Sequence, residues 1–243
     1  MSIPFEQHPL FELTIPSTKK NIKVRPMLAR EEKILLIAKQ SGEFVDILAA
    51  VKQICQNCII DKTVNVDTLA IFDLEFLFIR IRALSISNII KPRYLDTEDN
   101  KEYDFSVDLN KIEVVFAKNL ENKEISREIE LRNNMKMIMK YPSCALLSDI
   151  EYTKIKDTED AFDYLLKSCI ECIKTSDEHH DIKNISNEEL NSFIDNLSIP
   201  SYNAIKEFLL NIPRVEHTIE YTNSKGTERK ILLSSLNDFF SLV

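Results

Sequence analysis

Cysteine, histidine and carboxylate side chains are the groups through which this chain could hold a metal or move a proton. Cys55 and Cys58 form one Cys-x-x-Cys pair, and Cys169 and Cys172 form a second. Paired thiolates at this spacing are the donors of four-cysteine zinc sites. Both pairs, however, fall inside apolar patterns that read as helix, and no glycine or proline shapes a knuckle around either. Buried cysteine packs as a small hydrophobe, so core packing is the expectation for these four and zinc ligation the alternative. A redox pair would want a helix N-terminus and an exposed thiolate, and neither context is present. His179 and His180 stand beside Asp177, Glu178 and Asp181. Neighbouring side chains of an extended loop point apart, which is poor chelate geometry. No catalytic group, metal or cofactor is therefore assigned.

Composition narrows the classes further. The chain of 243 residues has two glycines, Gly42 and Gly226. Phosphate-cradling loops need several close together, because the backbone must approach the anion and reach positive φ. The P-loop, the dinucleotide fingerprint, the kinase glycine loop and the GxSxG elbow are all absent. Net charge is −8, with pI near 5.2, which disfavours a nucleic-acid surface. No run approaches the ~18 apolar residues of a membrane span. The first residues lack the basic and apolar blocks of a signal peptide. Five cysteines in no disulfide framework fit reduced thiols in a cytoplasm.

The elements that must position these groups follow from periodicity. Residues 9–26 read as a β-hairpin around Ser17-Thr18-Lys19-Lys20, and 29–40 as a helix stopped by Gly42. Residues 43–60 and 67–87 read as two more helices. The last is apolar on most sides, so it should be central to a helical subdomain. Short alternating runs over 88–141 predict an antiparallel β-meander of about four or five strands. Residues 157–174 read as helix and the polar stretch after them as loop. Ser186 with Glu189 is a capping box opening a helix to Leu197, and 201–212 is a further helix. Residues 214–222 and 227–233 form a hairpin around Asn223-Ser224-Lys225-Gly226, and Leu236, Phe239, Phe240 and Val243 share one face of a short terminal helix. The expected fold is α+β in three parts: hairpin and helical subdomain (1–87), β-meander (88–142), and C-terminal helices with a hairpin and terminal helix (143–243).

Four groups of side chains are candidates for contacting a partner. Lys19, Lys20, Lys23 and Arg25 make the N-terminal hairpin basic. They are either a solvated face or a docking surface for an acidic partner. The acidic stretch 177–195 would allow head-to-tail or hetero-association with it. Arg80 and Arg82 lie inside the most apolar helix, where a guanidinium needs carboxylate or carbonyl acceptors. Asp73 and Glu75 are nearby acceptors, and the alternative is a site for a partner chain. Phe239 and Phe240 would dock either on their own domain or in a partner.

Three blocks of residues then converge on a resemblance. The first is Pro16-Ser17-x-x-Lys20-x-Ile22-x-Val24-Arg25-Pro26-Met27-x-x-x-Glu31-Glu32-Lys33-x-Leu35-Leu36. The second is Asp73-x-Glu75-Phe76-Leu77-Phe78-x-x-Ile81-Arg82-Ala83-x-Ser85. The third is Phe208-Leu209-x-x-Ile212-Pro213-x-Val215-x-His217-x-Ile219-x-Tyr221, followed by Leu236-x-Asp238-Phe239-Phe240. In this order they resemble the baseplate hub and hub assembly proteins of T-even-like contractile-tailed bacteriophages.

The resemblance implies a non-enzymatic role in building the tail baseplate hub, by contact with other hub proteins and with self-association allowed. It implies a place in the infected host cytoplasm during assembly or in the tail baseplate of the virion. The family holds both hub components and a factor that promotes hub assembly without clearly remaining in the particle, so a transient assembly chaperone is the alternative role. An enzyme with an unrecognised site is the alternative from another class. Some members carry small cysteine knuckles in the hairpin turns. Here those turns read Thr97-Glu98-Asp99-Asn100 and Thr222-Asn223-Ser224-Lys225-Gly226, without cysteine, and no turn-borne zinc site is carried over.

Overall fold

A computed structural model describes residues 6–118, 124–149, 154–176, 178–234 and 238. Its backbone contacts divide the chain into two units, Met1–Val115 with Arg214–Val243, and Phe116–Pro213. The boundaries drawn from composition, at 87/88 and 142/143, fall inside these units. The fold is α+β: six α-helices and several antiparallel sheets occur among the described residues.

The first unit opens with the expected hairpin, β1 (Phe11–Thr14) against β2 (Asn21–Val24). Its turn closes by Ile15 N–H to Lys20 O and Lys19 N–H to Ile15 O, with Lys19 at φ 57°. Helix α1 (Ala29–Ser41) follows, and its first turn is tied by the Glu31 carboxylate accepting the Leu28 N–H at 2.8 Å. Gly42, at φ 69°, ends it as expected, because a left-handed position there carries no Cβ penalty. Helix α2 (Phe44–Cys58) returns along α1, burying Ile47, Leu48, Val51, Ile54 and Cys55. After a 3-10 turn at Val66–Thr68 comes α3 (Ile71–Ser85), buried along Phe72, Leu74, Leu77, Phe78, Ile79 and Ile81. Burial on several sides is what its nearly unbroken apolar sequence requires.

The strands after α3 are antiparallel, as the alternation predicts, but they are shared among four sheets. Strand β3 (Ile89–Ile90) pairs with β6 (Val107–Asp108), and β4 (Arg93–Asp96) with β5 (Lys101–Asp104). Strand β7 (Glu113–Val115) pairs with β12 (Arg214–Thr222), which pairs in turn with β13 (Glu228–Leu233) in the predicted terminal hairpin. A core of Ile79, Ile90, Leu109, Ile112, Val215 and Leu233 draws these pieces together.

The second unit carries β8 (Glu128–Glu130) and β9 (Lys136–Met139), then α4 (Thr158–Cys169), β10 (Ile170–Lys174) and β11 (His179–Asp181), in sheet order β11-β10-β9-β8. The helix expected over 157–174 is thus corrected: it stops at Cys169, and the chain turns into a strand. Asp157 caps its start by accepting the Glu159 and Asp160 N–H groups. At its end, Ile170-Glu171-Cys172-Ile173-Lys174 satisfies its backbone on β9 instead. Tertiary pairing here outweighs a helical propensity worth only tenths of a kcal/mol per residue. The stretch read as loop likewise contains β11. Helix α5 (Asn187–Asp195) starts at the predicted Ser186–Glu189 capping box, and α6 is Ile199–Leu210. Met137, Met139, Leu166, Ile170, Ile205 and Phe208 form this unit's core, with Tyr141 stacked on Phe208 at 5.6 Å.

Candidate functional site

The Cys-x-x-Cys pairs are packed in cores. Cys55 and Cys58 lie on α2 in the first unit; Cys169 ends α4 and Cys172 lies on β10 in the second, and all four are buried. The expected helical setting holds for the first pair and fails for Cys172. Burial pushes the Cys58 thiol up to about 11 and the Cys169 thiol up to about 12, which disfavours the thiolate a metal or a nucleophilic step requires. Among the described residues no group of three or more His, Cys, Asp or Glu is arranged to hold a metal ion. His179 and His180 are neighbours on β11, so they point to opposite faces, and His180 Nε2 lies 3.1 Å from the Glu178 carboxylate. No described helix is long and apolar enough to cross a membrane.

The basic hairpin proves to be largely committed to its own unit. Arg25 is buried: its guanidinium reaches both Glu31 carboxylate oxygens, at 3.0 and 3.3 Å, and the Pro26 carbonyl at 2.8 Å. Asn57 of α2 donates to the same carboxylate, and the Arg25 N–H donates to Cys58 O. One ion pair thereby joins β2, α1 and α2. Burial works to raise the Glu31 carboxyl, but hydrogen bonds from Arg25, Arg30 and the Leu28 N–H outweigh it and hold the carboxyl down at about 2. Lys20 bridges Asp61 at 2.9 Å and Thr63 at 2.8 Å. Lys19 lies near the buried Asp73, whose carboxylate accepts the Ser17 N–H and hydroxyl. Lys23 is exposed on β2 and makes no ion pair among the described residues.

The two arginines of α3 differ sharply. Arg80 donates to the Leu109 carbonyl at 3.1 Å and the Ile112 carbonyl at 2.9 Å, and its guanidinium lies 4.8 Å from the centre of the Phe76 ring. It pins α3 to the 3-10 turn Leu109–Lys111. Arg82 has buried Nε and Nη1 atoms with no acceptor among the described residues. Burial lowers its pKa, and Glu32 opposes that shift through space without pairing. Phe239 and Phe240 lie outside the described residues.

A cluster missed by sequence reasoning lies where the tips of β4–β5 and β12–β13 meet. Tyr221 Oη donates to the buried Asp96 at 2.7 Å, and Asn223 Nδ2 to Glu98 at 2.6 Å. The Ser224 N–H and hydroxyl donate to Asp99, as does Tyr103 Oη. Lys225 Nζ reaches the Glu98 carbonyl at 2.6 Å, and Arg229 lies 3.4 Å from Asp96. Tyr103 and Phe105 pack against the Tyr221 ring, with centroids 5.0 and 5.1 Å away. The Tyr221 hydrogen bond holds the Asp96 carboxyl below its usual range, while burial and Asp96 push the Tyr221 phenol up to about 12. The only signal in the sequence was the acidic turn Glu98-Asp99 and the polar turn Asn223-Ser224. Nothing in their spacing announced that residues about 125 apart would clasp.

Fold and sites together define an α+β protein in which Arg25, Glu31, Arg80 and the clasp around Asp96 hold its own segments in place. The chain belongs to the T4 bacteriophage base plate protein family, whose model matches residues 8–241. It is a structural or assembly protein of the phage tail baseplate, and its contacts are with other baseplate components. No curated protein and no solved structure matches the chain.

Proposed function

We propose that this chain is a protein of the baseplate hub that acts by protein–protein contact and carries out no catalysis. The observation that carries the reading is the family match over residues 8–241, within which the three sequence blocks that resemble hub and hub assembly proteins stand in order. The geometry is compatible with it. Residues conspicuous for chemistry, such as Arg25, Glu31, Arg80 and the four cysteines, serve packing and internal pairing, whereas the exposed Lys23 is left for an acidic partner. Such a partner stabilises the conformation it binds, by mass action. The work is done in the infected host cytoplasm during assembly.

A phage with this gene disrupted tests the proposal. Electron microscopy of its lysates should show filled heads without attached tails, restored by the gene in trans; normal tails would overturn it. Mass spectrometry of purified virions then sorts the two hub roles. Retention marks a hub component, and absence alongside the tail defect marks a transient assembly factor.

A further inference from the structure

Thirteen large apolar side chains are exposed among the described residues, and four of them fall within residues 36–45: Leu36 (51%), Ile37 (68%), Phe44 (46%) and Val45 (66%). That concentration lies on the α1–α2 hairpin, whose opposite side is buried through Leu35, Ile47, Val51 and Ile54. An open groove of about 340 Å³ runs between the helices, lined by Ile34, Ile37, Ala38, Ala49 and Ala50 with Ser41, Asp46 and Gln53 among them; of the four exposed side chains, Ile37 lines it. An apolar patch of this kind on a soluble chain marks an interaction surface.

Charge identifies what covers it. Lys33 stands four residues before Ile37, so the two share a face of α1. Asp46 lines the groove itself. Both are exposed, and neither makes an ion pair among the described residues. The helices run antiparallel, so Lys33 lies farther from the turn than Asp46, by roughly 9 Å along the axis at 1.5 Å per residue. One cationic end and one anionic end flanking an apolar middle is self-complementary. A two-fold axis through the middle sets each Lys33 against the partner's Asp46 and each Ile37 against the alanines of the partner's groove.

We propose that the α1–α2 face is a self-association surface, on which a second copy of this chain packs about a two-fold axis to complete a four-helix arrangement. This deepens the assembly reading above by naming one partner. Helices of 13 and 15 residues offer a face about 20 Å long. That is at the small end for a specific interface, so the dimer forms at micromolar concentration.

Sedimentation of the purified full-length protein between about 1 and 100 μM tests it. The expected result is a concentration-dependent dimer. Ile37→Glu should leave the circular dichroism spectrum unchanged and weaken dimerisation at least about tenfold. Asp46→Lys, which sets lysine against lysine, should also weaken it about tenfold, and the double variant Lys33→Glu with Asp46→Lys should restore it to within about threefold of the native protein. A pairing of these ends between copies predicts that rescue, and the two-fold arrangement predicts that association stops at the dimer. A monomer at 100 μM, a dimer indifferent to Ile37→Glu, or no rescue by the double swap would overturn the proposal. Because these measurements use the isolated chain, such a failure would leave the tail phenotype of the disrupted phage, and hence the hub reading, untouched.

Discussion

At the base of α1 a single buried ion pair, Arg25 with Glu31, binds a strand and two helices. At the tips of β4–β5 and β12–β13 the same task is spread over carboxylates, phenols, an amide, a hydroxyl and two cations, most of them half-buried or exposed. The first arrangement concentrates stability in one desolvated contact. Its charges have little water to fall back on, so losing Arg25 leaves the buried Glu31 dependent on Arg30. The second distributes it, so that most of its contacts can be replaced by solvent, the buried Asp96 and Asn223 excepted. Concentrated and dispersed clamps should therefore fail differently.

Arg25→Met should be the severest of these single changes. It leaves the buried Glu31 carboxylate to Arg30, Asn57 and the Leu28 N–H and should cost about 3 kcal/mol, the low end for a broken buried pair, read as a lower urea midpoint. A loss below about 1 kcal/mol would show that the pair is not desolvated. Next come the two arginines of α3. Arg80→Met forfeits two carbonyl hydrogen bonds and should destabilise by about 2 kcal/mol. Arg82→Met removes a guanidinium with two buried donors unmet and should raise stability by about 1 kcal/mol. Thermal melts of the pair should move in opposite directions. Within the dispersed clasp, Lys225→Ala should stay within about 0.5 kcal/mol of the native protein, and Asp96→Asn should lie between it and Arg25→Met.

Titration separates the clamps as well. The Glu31 carboxyl moves from 4.5 down to about 2 on folding, so its contribution is full above pH 4.5 and is lost as pH falls through about 2. The Tyr221 phenol moves from 10 up to about 12. Its contribution is full below pH 10 and is lost as pH rises through about 12. Denaturation midpoints followed against pH should show Tyr221→Phe shrinking the alkaline limb to the part that Cys58 and Cys169 carry, and weakening the acid limb through the lost hydrogen bond to Asp96.

The elements set by local rules were legible in the sequence: both hairpins, the Gly42 stop, the capping box at Ser186 and the buried α3 all stand where periodicity and turn chemistry put them. What was illegible depended on distant partners. The strand from Ile170 to Lys174 looked helical because its apolar residues fit both periods, and the neighbouring β9 decided the matter. Arg25 looked like part of a basic surface because nothing local reveals that Glu31 folds back on it. The clasp between turns 125 residues apart leaves no periodic trace at all. Leu36, Ile37 and Val45 read as core-facing residues of two helices, and their exposure of 51%, 68% and 66% shows otherwise.

Affinity purification of the tagged chain from phage-infected cells, with mass spectrometry of what accompanies it, tests the hub assignment most directly. The account predicts co-purification of other baseplate hub proteins, in a form that survives nuclease treatment. Recovery of only nucleic acid or host metabolic enzymes would contradict it.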